Sequence, residues 1–149
     1  RAYAVDVFTT FFPGEPLGMV TDTLLAVKQL RYPNKKIYLC DEEDNHYLRT
    51  FCKEHDVIHV TRDNRIDAKA GNINNALKQA TGEICLILDP DHKPFPDFLD
   101  EVVPYFEDES LGFVQTVQSY YNLDTSRIAQ AAAEQTFQFY NIIIIKILI

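Results

Sequence analysis

The chain has 149 residues, 46% of them apolar, and a formal net charge of −8. That apolar share supports a packed domain and excludes an intrinsically disordered chain. The acidic balance excludes binding to a phosphate backbone through bulk charge, so nucleic acid is not an expected partner. Any anionic ligand needs a local cation or a metal ion.

Short apolar runs alternate with longer amphipathic ones. Ala4 to Thr9 predicts a first strand. Val20, Leu24, Val27 and Leu30 fall at helical spacing within Leu17 to Leu30, and Tyr32-Pro33-Asn34 ends that helix. Lys36 to Cys40 predicts a strand, His46 to His55 a short helix, and Val57 to Thr61 a third strand. Ala68 to Ala80 predicts a helix that Thr81-Gly82 stops. Glu83 to Leu88 is apolar on both faces, as a central parallel strand is. Asp97 to Phe106 predicts a helix capped by its acidic first residue, Gly112 to Gln118 a fifth strand, and Arg127 to Tyr140 a last helix. The alternation points to one α/β domain around a mostly parallel sheet flanked by helices. The chain holds Cys40, Cys52 and Cys85 with no C-x-x-C pair, which predicts buried, reduced thiols and no zinc site. No leader peptide is evident at Arg1. The run from Ile142 to Ile149 is eight residues with one lysine, too short for the roughly twenty needed to span a bilayer. Both ends are expected to be cuts within a longer chain.

Ligands of such sheets collect beyond the carboxyl ends of the strands. The glycines form neither a dinucleotide fingerprint nor a P-loop. The fourth predicted strand runs into Asp89-Pro90-Asp91-His92, where Pro90 favours an extended Asp89. Two carboxylates so spaced can share one region of space, and such oxygens suit Mg2+ or Mn2+. His92 can add a nitrogen ligand or a donor to phosphate. Asp41 follows the second strand and can accept from a base or a ribose, or else begin a helix. The acidic run Asp41-Glu42-Glu43-Asp44 otherwise predicts solvated surface. Lys69 stands beside Gly71 near a helix N-terminus, a setting that favours a diphosphate. Phe11 or Phe12, before the Pro13-Gly14 turn, can stack on a base, with core packing the alternative for one of them. His55 and His59 span an expected helix end and strand, so they are read as structural.

The segments Gly14-Glu15-Pro16-Leu17, Lys69-Ala70-Gly71-Asn72, Thr81-Gly82-Glu83, Asp89-Pro90-Asp91-His92, Phe98-Leu99-Asp100 and Val114-Gln115-Thr116 occur in one order. In that order the sequence resembles family 2 glycosyltransferases of the cellulose-synthase-like, processive kind. The resemblance implies a GT-A-like fold, here as a partial domain, and an inverting transfer from a UDP-sugar to a growing glycan. It implies a divalent metal, Mg2+ or Mn2+. Thr10 and Glu15 are then donor-site residues, Asp41 the uracil contact and Lys69 a diphosphate contact. Asp89 and Asp91 are both metal carboxylates, Asp89 contacting the donor as well, with His92 accessory to the metal. The resemblance places the catalytic base and a Q-x-x-R-W acceptor motif beyond residue 149, so residues 1–149 are the N-terminal, donor-binding part of a single domain. It also implies a membrane-embedded parent protein with this part on the cytoplasmic face of the inner membrane. A non-catalytic nucleotide-sugar-binding module is the alternative. The isoleucine run from Ile142 departs from the family pattern.

Overall fold

The computed structural model describes residues 2–117 and 141–146. Six strands form one sheet: β1 (Val5–Phe11), β2 (Lys35–Asp41), β3 (Ile58–Val60), β4 (Ile84–Ile87), β5 (Phe113–Val117) and β6 (Asn141–Lys146). The helices are α1 (Leu17–Lys28), α2 (His46–Glu54), α3 (Ala68–Leu77) and α4 (Phe98–Val102), the last followed by a 3₁₀ turn over Val103–Glu107. The strand order is β3-β2-β1-β4-β6-β5. β1 pairs in parallel with β2 and β4, β2 pairs in parallel with β3, and β6 runs antiparallel to both β4 and β5.

The two-residue period of the strands divides the core between the faces of the sheet. Val5, Val7, Ile37, Leu39, Ile84 and Leu86 pack with Val20, Leu24 and Val27 of α1 and with Leu99 and Val102 of α4. The intervening Phe8, Tyr38, Cys40 and Cys85 pack with Ala76 of α3. The Phe8 and Tyr38 rings stack across β1 and β2 with centroids 4.8 Å apart. All three cysteines are free and buried, as expected, and burial pushes each thiol up to about 12. They are therefore protonated and unreactive at neutral pH.

The isoleucine run is the main departure from expectation. Assigned to no element from the sequence, Asn141–Lys146 forms β6 between β4 and β5. An unbroken β-branched run lacks the alternation that marks a half-exposed strand, and it suits an internal one. The helix expected over Asp97 to Phe106 divides at Val103, because Pro104 has no N–H for a continued α-helical ladder. Asp97 makes no cap hydrogen bond and instead lies 3.4 Å from Arg31. The helix expected over Arg127 to Tyr140 lies outside the described residues. Among the described residues, no helix is long and apolar enough to cross a membrane.

After β1 the chain builds β2 and β3 on one side, then returns to lay β4 on the other. Strand order therefore reverses between β1 and β4, and the ligand crevice of such sheets lies beyond the carboxyl ends of these strands. The Leu88 N–H donates to the Phe8 carbonyl at 2.9 Å and carries this pairing one residue past β4. Asp89 thus emerges beside the end of β1. The Glu42 N–H donates to the Phe11 carbonyl at 2.9 Å and ties the exit of β2 to the same end.

Candidate functional site

Three loops meet at this crevice. The first follows β1. The Glu15 N–H closes on the Phe12 carbonyl at 3.1 Å, with Pro13 second and Gly14 third at φ +93°, the arrangement of a type II turn. The Glu15 carboxylate accepts from the Phe12 N–H at 2.7 Å and braces the turn. Of the two aromatics there, Phe11 is core at 1% exposure, while Phe12 is half-buried. Thr10 is also 1% exposed, so its side chain is nearly closed to a ligand.

The second loop follows β4. The His92 N–H donates to the Asp89 carbonyl at 2.9 Å, and the Asp89 N–H donates to His92 Nδ1 at 3.1 Å. This turn gathers a carboxylate oxygen of Asp89, one of Asp91 and a ring nitrogen of His92 within 4.8 Å of one another. His92 Nε2 lies 3.7 Å from both Asp89 Oδ2 and Asp91 Oδ1. A backbone N–H can only donate, so Nδ1 accepts and the neutral ring carries its proton on Nε2. The two half-exposed or exposed carboxylates fit a hard divalent ion. In this tautomer His92 faces them as a hydrogen-bond donor, and it would ligate through Nε2 only after moving that proton.

The third loop joins β3 to α3. Lys69, in the first turn of α3, forms an ion pair with Asp89. Burial pushes its ammonium below the usual lysine value, against the nearby charges of Asp91 and Glu15. Glu15, Lys69, Asp89, Asp91 and His92 thus belong to one electrostatic cluster.

Asp41 lies apart from that cluster. It lines a cleft of about 290 Å³ with Glu42, Thr61, Arg62 and Arg65. Its Oδ1 accepts from the Glu43 N–H at 2.9 Å and the Asp44 N–H at 3.1 Å, and its Oδ2 from the Asn45 N–H at 2.7 Å. His59 Nε2 stands 2.8 Å from the same Oδ2. Asp41 therefore shapes the turn into α2, and Asn45 caps that helix by accepting from the Leu48 N–H. Burial alone would raise the Asp41 carboxyl. The bonds from His59, Glu43 and Asn45 outweigh it and hold the group below its ordinary value of 3.8. A carboxyl depressed on folding contributes stability above its unfolded pKa and loses it as pH falls through the folded one. The Asp41→Asn variant is accordingly expected to cost about 2 kcal/mol at pH 7. Thermal melts from pH 7 downward should show the gap to wild type closing as pH drops through and below 3.8. A gap independent of pH would contradict this account of the carboxylate.

The acidic run after β2 is not all solvated surface. Glu42 is 7% exposed and accepts from Arg62 Nε at 2.9 Å and Nη2 at 3.0 Å. Sequence reasoning passed over Glu42, Arg62 and the contact of His59 with Asp41. Their only signal was an imidazole within, and a cation just after, a strand that neighbours the acidic one. Arg62 also donates through Nη1 to the Ile66 carbonyl at 2.6 Å and through Nη2 to the Ala68 carbonyl at 2.8 Å. Within this loop Asp67 and Ala68 both adopt positive φ, +63° and +42°. Consecutive non-glycine residues rarely adopt such angles without external support.

Comparison with known proteins agrees with this architecture. The chain is 39% identical over 124 residues to the cellulose synthase catalytic subunit [UDP-forming] of Xanthomonas axonopodis pv. citri, covering 81% of this chain and 17% of the relative. It is 35% identical over 133 residues to that of Pseudomonas fluorescens, covering 83% of this chain and 18% of the relative. The chain therefore spans less than a fifth of the length of these relatives. Among solved structures, a mannosyltransferase of Pyrobaculum calidifontis in complex with GDP-Man and Mn2+ superposes with a TM-score of 0.74 at 21% identity, covering 98% of this chain and 45% of that one. Glucosyl-3-phosphoglycerate synthase of Mycobacterium tuberculosis, in complex with Mn2+ and UDP, gives 0.65 at 12% identity, covering 97% of this chain and 57% of that one. These likenesses establish the GT-A fold. The family model for glycosyl transferase family 2 matches residues 14–147, and the chain belongs to that family.

Proposed function

We propose that the protein transfers a sugar from a UDP-sugar to a growing glycan with inversion, and that this chain is its donor-binding part. The gathering of Asp89, Asp91 and His92 within 4.8 Å at the β1–β4 crevice, with Lys69 paired to Asp89, carries the proposal. The cellulose synthase relatives, named as UDP-forming, support the choice of donor. The nucleotide and Mn2+ in the solved neighbours support a metal in the site.

In this reading Asp89 and Asp91 hold Mg2+ or Mn2+ through carboxylate oxygens. Bound there, the ion supplies Lewis-acid neutralisation of the diphosphate as it leaves. Lys69 exchanges Asp89 for a phosphate oxygen, a point cation replacing one anionic partner by another. His92 donates its Nε2 proton toward the same anion. The cleft whose wall Asp41 braces receives the uracil, and Glu15 fixes the turn carrying Phe12 beside the donor. The base that deprotonates the acceptor hydroxyl is supplied beyond this chain, within a longer, membrane-embedded protein whose donor-binding part faces the cytoplasm.

The test is UDP release by the full-length protein across a panel of UDP-sugars with an oligosaccharide acceptor. The expected result is release with Mn2+ or Mg2+ that stops on adding EDTA. Tight UDP binding with no release from any donor would favour a binding module over an enzyme.

A further inference from the structure

The loop before Lys69 closes around the side chain of Arg62. Arg62 is 4% exposed and its guanidinium reaches four acceptor contacts: two to Glu42 and one each to the carbonyls of Ile66 and Ala68. Those carbonyls bracket the left-handed pair Asp67 and Ala68, directly before Lys69. A Cβ at Gly71 would lie 2.0 Å from the Ile66 carbonyl oxygen and 2.6 Å from Arg62 Nη1, so the first turn of α3 closes against the same group. Glu42 is itself tied by its N–H to Phe11 at the end of β1. The guanidinium thus joins the exits of β1 and β2 to the turn that launches Lys69. A buried arginine spending four of its five N–H donors on two backbone carbonyls and one carboxylate has little left for a ligand.

Resting on the donor-site reading above, we propose that Arg62 is a positioning residue for Lys69, holding the left-handed turn from which the lysine reaches the donor diphosphate. A lysine at position 62 keeps the charge but lacks the planar fork, so it cannot span Glu42 and two carbonyls at once.

The test is a double-mutant cycle on UDP affinity in the full-length protein with Mn2+, using Arg62→Lys, Lys69→Ala and the pair. Each single variant is expected to weaken UDP binding roughly tenfold. The double variant should then fall within about twofold of Lys69→Ala alone, because independent sites add and a residue acting through another does not. A general loss of fold would lower affinity in both backgrounds alike, and melting curves of the same variants report it directly. If Arg62→Lys fails to fold, Glu42→Gln replaces it in the same cycle. Additive losses would overturn the positioning role while leaving the donor site standing. Absence of UDP binding by the wild type would overturn both.

Discussion

The Asp91→Ala variant is expected to weaken UDP binding in the presence of Mn2+ by roughly 100-fold, about 2.8 kcal/mol. Its stability should change by no more than about 0.5 kcal/mol. The contrast follows from exposure, since the Asp91 side chain is 66% exposed and lies outside the buried core. Removing it deletes a carboxylate from the cluster with Asp89 and His92 and leaves the Asp89–His92 turn intact. Calorimetry of UDP with Mn2+, paired with a melting curve, separates the two effects. Full affinity in the variant would remove Asp91 from the site.

Asp6→Ala should do the opposite. Asp6 is 1% exposed, and its Oδ2 accepts from the backbone N–H groups of Thr81 and Gly82, both at 2.7 Å. Alanine leaves two donors at the entrance to β4 without this acceptor, an expected loss of about 3 kcal/mol. Asn, which keeps an acceptor oxygen at nearly the same place, should recover much of it. Gly82 admits no larger residue, because a Cβ there would lie 2.8 Å from both Asp6 Cγ and Asp6 N. Denaturant unfolding of the two Asp6 variants measures the difference. Equal stability of Asp6→Ala and wild type would show that water satisfies those N–H groups.

Much of this architecture was legible in the residues themselves. Val20, Leu24, Val27 and Leu30 repeat at helical spacing, and all four are buried. Glu83 to Leu88 is apolar on both faces, and its strand lies between β1 and β6. That placement put Asp89 and Asp91 at the crevice, because a carboxylate following a central strand has nowhere else to go. The rest depended on partners that no local period encodes. His59 meets Asp41 from within β3 and Arg62 meets Glu42 from its exit, so the acidic run looked like surface until β2 and β3 were side by side. The pairing of β6 was hidden for a related reason. Unbroken isoleucine carries no face preference, and only the opening between β4 and β5 gives it a place.

Calorimetric titration of the full-length protein with UDP, first with Mn2+ and then with excess chelator, addresses the metal-dependent donor site most directly. The account predicts binding with Mn2+ that weakens at least tenfold or so once the ion is withdrawn. Equal affinity under both conditions would contradict it, leaving the carboxylates of Asp89 and Asp91 with no ion to hold.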